Sequence, residues 1–169
     1  MIKNPGVGTA IPASAIRGTT TNDNAPAGFI GELIVQTIPI GSSVALTNGA
    51  ASTIATISLT AGDWDVYGVV DITTGATTNW TSYIIEISPT NNSIAIGQPG
   101  GSGFGPEPYT QIVSPTTAGT VTGALSFNTP TPIVRVSIAA TTSAFLVIQA
   151  SFTVSTMTAF GTIRARRVR

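Results

Sequence analysis

The segment Leu146–Arg166, LVIQASFTVSTMTAFGTIRAR, alternates apolar and polar residues along almost its whole length. Alternation with a period of two predicts β-strands that bury one face. In the first half the apolar face consists of Leu146, Ile148, Ala150, Phe152 and Val154. In the second half it consists of Met157, Ala159, Ile163 and Ala165, with Thr158, Thr162, Arg164 and Arg166 outward. Because the apolar residues change parity, a bulge or tight turn is predicted near Ser155 and Thr156.

The first half of the chain carries the same signal in three places. Phe29–Thr37 predicts a strand with Phe29, Leu33 and Val35 on one face, although Ile30 and Ile34 make it apolar on both sides. Val44–Leu46 and Thr53–Leu59 flank an Asn48-Gly49 turn, which is the order expected of a hairpin. The clearest strand turns one set of residues inward, Trp64, Val66, Gly68, Val70 and Ile72, and turns Asp65, Tyr67 and Asp71 outward.

Further strands are predicted in the middle of the chain. Trp80–Ile87 places Tyr83, Ile85 and Ile87 opposite Ser82 and Glu86, and Ser93–Ile96 adds a short candidate. Val121–Phe127 leads to a predicted turn over residues 128–132, and the next strand has Val134, Val136 and Ile138 opposite Arg135 and Ser137. Trp64 and Trp80 could stack on a sugar, but a tryptophan at an inward strand position is more often part of the core.

These patterns predict an all-β fold: an antiparallel β-sandwich of jelly-roll or Greek-key type with eight or nine strands. Residues 1–28 have no periodicity and hold three prolines and four glycines, which predicts an extended N-terminal arm that reaches a neighbouring subunit. The sandwich domain is expected to span residues 29–169. Within it, residues 97–108 are too rich in glycine and proline for a strand and predict a long exposed contact loop.

Charged residues make up only 8% of the chain, against about 25% in an ordinary soluble domain. Seven basic residues balance seven acidic ones, and such a neutral surface favours association. We therefore expect a closed homo-oligomer. No stretch suits a signal peptide or a membrane span, so neither secretion through a signal peptide nor a membrane partner is expected.

Cysteine and histidine are both absent. Thiolate sites, Ser-His-Asp triads and histidine-ligated zinc are therefore excluded. Asp63, Asp65 and Asp71 lie on one face of a predicted strand, so carboxylate catalysis or calcium binding could be considered. A turn aspartate followed by solvent-facing aspartates is the simpler interpretation. We expect no enzyme activity, no metal site and no cofactor.

The last six positions contain four of the seven basic residues, namely Arg164, Arg166, Arg167 and Arg169. Because Arg167 shares parity with the apolar Ile163 and Ala165, the strand is predicted to leave the sandwich at about Ala165. Arg167 and Arg169 would then reach solvent or the acidic groups of another copy, with Glu32, Glu86 and the aspartates as candidates. The other candidate interaction residues are Lys3 and Arg17 in the arm, Phe104 in the loop and Tyr109 just after it. Without a basic stripe elsewhere, nucleic acid is not the expected partner.

Three segments carry a resemblance to a known family: Thr21–Ala25 with Gly31-Glu32, then Ser58–Val66, and finally Gln149–Val154 with Gly161–Arg169. Together they resemble a family of small virion structural proteins of tailed bacteriophages and prophages, over most of the chain from Thr21 onward. The resemblance implies a capsid decoration (cement) protein or a fibre-tip domain, commonly trimeric. Residues 89–115 do not share it.

A fibre usually has an anchoring module and a repetitive shaft, and neither is evident in this sequence. We therefore expect a decoration protein that binds the major capsid protein in the virion, assembled in the bacterial host cytoplasm. The alternative is a tail- or head-fibre tip that binds a host surface glycan or receptor.

Overall fold

The computed structural model describes residues 24–94, 109–113 and 126–169 of the chain. The regular structure of those residues is ten β-strands and one short 3-10 turn, Ile40–Ser42. The strands are β1 (Leu33–Ile38), β2 (Val44–Ala45), β3 (Ala51–Leu59), β4 (Gly62–Thr74), β5 (Asn79–Ser88), β6 (Tyr109–Val113), β7 (Ser126–Pro130), β8 (Val134–Ile138), β9 (Thr142–Thr153) and β10 (Met157–Arg167).

The strands form two antiparallel sheets that pack face to face, which confirms the predicted β-sandwich. One sheet has six strands in the order β1-β10-β4-β7, with β2 also on β10 and β8 also on β4. The other has four strands in the order β3-β9-β5-β6.

The pairing identifies the type of sandwich. β1 pairs with β10, β3 with β9, β4 with β7 and β8, and β5 with β6, as in one long hairpin. The further pairs β10–β4 and β9–β5 roll that hairpin into two sheets. This is a jelly roll, one of the two predicted types.

β4 lies at the centre of the larger sheet, and its alternation is confirmed. Trp64, Val66, Val70 and Ile72 are fully buried, and between them Gly68 also faces the core. The opposing sheet contributes a matching set of buried side chains: Leu59, Ile85, Ile87, Leu146 and Ile148. Each such side chain stabilises the fold by about 1.5–3 kcal/mol. The inward residues predicted for β8, Val134 and Val136, are also buried.

Both tryptophans belong to the core, as predicted for Trp64. Trp80 packs edge-on against Phe127, with ring centroids 5.2 Å apart, and is tilted against Tyr83. The Tyr83 hydroxyl shares a hydrogen bond of 2.7 Å with the hydroxyl of Thr129. Since Tyr83 is on β5 and Thr129 on β7, this bond joins the two sheets and satisfies a buried polar group.

The predicted strand Phe29–Thr37 is wrong in its start, whereas Leu33 and Val35 do lie on one face, as predicted, and that face is the outer one. β1 begins at Leu33, whereas Phe29 lies in a turn and is 64% exposed. Ile34 and Ile38 pack on the core, and Val35 is 46% exposed. The strand is apolar on both sides, so its own pattern could not select the inner face. Pairing with β10 does so, because Val35 lies opposite the outward Arg164.

The predicted hairpin around Asn48-Gly49 is also wrong, although the turn itself is present. Gly49 has a φ of +74°, but β2 pairs with β10 in one sheet while β3 pairs with β9 in the other. The turn is bonded to β9: Gly49 N donates to Ala150 O, and Phe152 N donates to Asn48 Oδ1. An Asn-Gly pair specifies a local bend, and the choice of partner strand depends on contacts distant in sequence.

Two expected strand faces differ from the structure. Glu86, predicted on the outer face of β5, is fully buried, and Ile84 on the same side is buried as well. Val154, predicted inward, is exposed because β9 ends at Thr153. Val154 and Ser155 have φ values of +56° and +67°, and this left-handed pair makes the tight turn predicted near Ser155.

The turn predicted over residues 128–132 is partly strand. Asn128, Thr129 and Pro130 belong to β7 and pair with β4, and Thr131 then returns to the same strand through hydrogen bonds with Gly68. β6 was not predicted at all. Ser93 and Ile94 are not in a strand. Most of the predicted arm, the loop 97–108 and residues 121–125 lie outside the described residues, as do residues 95 and 96.

Candidate interaction surface

A groove of about 600 Å³ lies on the outer face of the six-stranded sheet. Its apolar lining consists of Leu33, Val35, Tyr67 and Ile133. Its charged lining consists of Asp65, Arg164 and Arg166. Strands β1, β10 and β4 supply most of these side chains, and Ile133 comes from the connection that precedes β8.

The strand register explains why these side chains meet. Leu33 lies opposite Arg166, which lies opposite Asp65, which lies opposite Arg135. One step along, Val35 lies opposite Arg164, which lies opposite Tyr67. Side chains at facing positions of neighbouring strands are about 4.5–5.5 Å apart at Cβ, so each row forms a continuous strip.

Arg164 and Arg166 are exposed, as predicted. Among residues 24–94, 109–113 and 126–169, ion pairs join Arg135 to Asp65, Arg167 to Glu32 and Arg169 to Asp63, and none involves Arg164 or Arg166. The groove therefore presents two guanidinium groups, two residues apart on one strand, that the described carboxylates do not neutralise.

Asp65 is already engaged within the same sheet. Arg135 Nε donates to Asp65 Oδ1 over 2.5 Å, and this hydrogen bond raises the pKa of Arg135 above its usual value. A second aspartate on the same outward side, Asp71, accepts a hydrogen bond of 2.8 Å from Asn128 Nδ2. Both carboxylates thus have partners within the sheet.

The prediction that Arg167 reaches solvent or another copy is wrong. β10 stays in the sheet to its last residue, and Arg167 is buried. Its Nε donates to Glu32 Oε2 over 2.9 Å, its Nη1 donates to Ala61 O over 2.8 Å, and its Nη2 donates to Thr60 Oγ1. An arginine can occupy an inward position when its donors are satisfied in this way.

Glu32 and Gly62 complete the site around Arg167. Burial by itself raises the pKa of Glu32, but the hydrogen bond from Gly28 N and the neighbouring guanidinium outweigh it, so the pKa lies below its usual value. Gly62 leaves room for the guanidinium, since a Cβ at that position would collide with Arg167 Nη1. Glu32, predicted as a contact for another copy, is instead an internal partner.

Arg169 does reach solvent, as predicted, with a side chain that is 83% exposed. Its Nη2 lies 2.7 Å from Asp63 Oδ2 of the same chain. A hydrogen bond from the Ser137 side chain is the largest cause of the lowered pKa of Asp63, and the charges of Arg169 and Arg135 lower it further. Asp63, which was a predicted contact for another copy, therefore forms an ion pair with Arg169 of its own chain.

Tyr109 begins β6, the edge strand of the smaller sheet, and is partly exposed. It is not near the groove in the strand order, since β6 and β10 belong to different sheets. Lys3, Arg17 and Phe104 lie outside the described residues. Of the five predicted interaction residues that the structure describes, Arg164 and Arg166 are the two that share one surface.

Sequence reasoning missed the apolar half of the groove. The sequence predicts no outer face for Leu33 and Val35, and it predicts no face for Ile133, which is 63% exposed. The available signal was that β1 is apolar on both sides. An outward apolar row of this kind is uncommon on the surface of a monomeric protein.

Among the described residues, no group of three or more histidine, cysteine, aspartate or glutamate side chains could hold a metal ion. No helix in that part of the chain is long and apolar enough to cross a membrane.

No protein-family model matches this chain, and no curated protein matches it. Eight chains of solved structures match. One is from the "Structure of infectious bursal disease virus Gx strain", with a TM-score of 0.44 and 11% sequence identity over 81% of this chain. The match spans about a third of that longer chain, 32%.

Proposed function

We propose that this chain is a non-enzymatic structural subunit of a virus particle, and specifically a decoration protein on the head of a tailed phage. Three copies would clamp the junctions between major capsid proteins. The added buried area would help the shell to resist the pressure of the packaged DNA.

The observation that carries this proposal is the outer face of the six-stranded sheet. It is continuously paired at its centre, where β10 and β4 face each other along eleven positions from Met157↔Thr74 to Arg167↔Trp64. It displays exposed apolar side chains beside Arg164 and Arg166, and no carboxylate of the described residues forms an ion pair with either arginine. Such a combination is typical of a protein–protein contact, in which arginine is enriched.

Three further points support the proposal. Jelly rolls recur in viral capsid and lectin domains, although a fold by itself does not assign a function. Three segments resemble small virion proteins of tailed phages: Thr21–Ala25 with Gly31-Glu32, Ser58–Val66, and Gln149–Val154 with Gly161–Arg169. The low content of charged residues also favours association with other subunits.

Imaging of the intact particle by electron cryomicroscopy tests this proposal. We expect trimeric jelly-roll density on the head shell, and heads that lack the chain should release DNA at a lower temperature until purified protein is added back. Density at the tip of a fibre would instead favour the host-binding alternative. Absence of the chain from the particle would contradict both.

Light scattering tests the oligomeric part separately. The purified protein is expected to have the mass of a trimer at micromolar concentration. A monomer at that concentration would contradict the clamp of three copies while leaving attachment of single copies to the shell open to the imaging experiment.

A further inference from the structure

We infer that the groove binds an extended acidic segment of a different protein, in which two carboxylates two residues apart meet Arg164 and Arg166 and a neighbouring apolar side chain fills the groove. This inference rests on the proposed function in one respect, since the partner would be a protein of the particle. It adds the chemistry of the partner and the surface that recognises it.

The first step is that the described part of another copy of the chain is a poor source of the acid. Glu32 pairs with Arg167, Asp63 with Arg169, and Asp65 with Arg135. Asp71 accepts from Asn128, and Glu86 is fully buried and has a partner of its own. Every carboxylate within the described residues is therefore engaged inside its own chain. A second copy could offer these groups only by breaking bonds that it already makes.

The second step is the spacing of the two cations. Residues two apart on a strand point to the same face and are about 6.6–6.8 Å apart along it. An extended segment of the form acid-x-acid has the same spacing, so each carboxylate can meet one guanidinium. Arginine suits this role because its planar fork binds carboxylates through two parallel hydrogen bonds.

The third step is the apolar lining. Leu33 and Val35 flank the arginines on the β1 side, and Tyr67 and Ile133 flank them on the other. Three of these four side chains are branched aliphatics, which gain more from a partner's apolar side chain than from a sugar ring or a base. Two arginines and one tyrosine are too few for the backbone and stacking contacts by which a protein surface binds nucleic acid. A short acidic segment with an apolar residue satisfies all parts of the surface.

A displayed library of random 12-residue peptides, selected on the immobilised full-length protein, tests the inference without the particle. We expect enrichment of sequences with two acidic residues at positions i and i+2 and an apolar residue close by. Affinities of the selected peptides are then measured by fluorescence anisotropy. Arg164→Gln with Arg166→Gln should weaken binding at least tenfold, which corresponds to about 1.4 kcal/mol.

Arg169→Gln is the matched control, because it also removes an exposed guanidinium but lies outside the groove lining. It should leave the affinity within about twofold, a change that marks non-specific charge effects. Val35→Asp is a second variant that keeps both arginines and places a negative charge in the groove, and it should also abolish binding. Melting curves of the variants should match that of the original protein, since all the changed side chains are exposed.

Several results would overturn the inference. One is no enrichment of acidic pairs, and another is unchanged binding of the selected peptides to the double-glutamine variant. A third is complete competition by polygalacturonate together with indifference to the apolar residue, which would indicate an anionic glycan. A fourth is loss of the oligomer in the double-glutamine variant by light scattering, which would indicate a second copy as the occupant. A particle without the chain would contradict the proposed function, whereas the peptide result would be unaffected.

Discussion

The guanidinium carbon of Arg167 lies 4.2 Å from the centroid of the Trp64 ring. The indole Nε1 of Trp64 in turn donates to the carbonyl of Thr60, which precedes β4. Backbone bonds hold the same region, since Arg167 N donates to Glu32 O and Gly31 N donates to Arg167 O. These contacts join the end of β10 to the residues just before β1, beside the buried ring of Trp64. They thereby close the jelly roll.

Arg167→Ala should destabilise the fold by about 3–5 kcal/mol, because it leaves the buried carboxylate of Glu32 without its cation. The measurement is the midpoint of unfolding in urea. Arg166→Ala, one residue earlier on the exposed face, is the control and should change stability by less than about 0.5 kcal/mol. The double variant Glu32→Leu with Arg167→Met removes both charges and should recover much of the loss. Equal effects of Arg167→Ala and Arg166→Ala would show that the buried pair does not stabilise the fold.

The pair also predicts the behaviour in acid. The pKa of Glu32 is lowered in the folded protein, so the unfolded chain binds its proton more readily. The stabilisation is therefore fully present above the ordinary carboxyl pKa and is lost as pH falls through the lower folded value. Glu32→Gln should reduce the loss of stability between about pH 5 and pH 3.

Urea titrations at pH 7, 5, 4 and 3 measure this dependence. Asp71→Asn removes one carboxylate of the outer face without touching the buried pair and is the control. If the stability of the Glu32→Gln variant fell with decreasing pH as steeply as that of the original protein, Glu32 would not be the source of this pH dependence.

Gly161 is required by the close approach of two strands. It lies opposite Val70 of β4 in the middle of β10, and a Cβ there would collide with the carbonyl oxygen of Val69 and lie 3.1 Å from Cα of Val70. The obstacle is backbone, which cannot move without breaking the sheet. Gly161→Ala should therefore destabilise the fold by at least about 1–3 kcal/mol. Gly41→Ala is the control, because nothing lies within 4 Å of its added Cβ. A Gly161→Ala variant with an unchanged melting temperature would disprove the contact.

The turn between β9 and β10 offers a stabilising change. Val154 has a φ of +56°, a conformation that strains a β-branched residue, and its side chain is largely exposed. Val154→Asn should raise stability by about 1 kcal/mol, because asparagine adopts left-handed backbone at lower energy. Thr153→Asn makes a similar change one residue earlier, inside β9, and should not stabilise the protein. Calorimetric melting of the two variants separates these outcomes, and equal melting temperatures would argue against strain at Val154.

Sequence alone was sufficient for the all-β class, the sandwich and most inward positions, because one-sided burial imposes a period of two on each strand. Trp64, Val66, Val70 and Ile72 illustrate this, and so do Met157, Ala159, Ile163 and Ala165. The parity change before Met157 also predicted a turn near Ser155 and Thr156, and the left-handed residues of that turn are Val154 and Ser155. All these inferences depend on side chains that are neighbours in the chain, so their signal is local.

Tertiary structure alone decided which strands pair and which side chains lie together on each outer face. Of the described pairs only β5–β6 joins strands that are consecutive in sequence, so the partners of β2 and β3 could not follow from the Asn48-Gly49 turn. Register with β10 turned Val35 outward into the groove, and Glu32, 135 residues away in sequence, made a buried position possible for Arg167. The alternation of apolar and polar residues predicts which side chains are buried against apolar neighbours. It cannot predict that a charged residue is buried beside an oppositely charged partner distant in sequence, because the interaction energy of such a pair depends on the distance between the two groups in space.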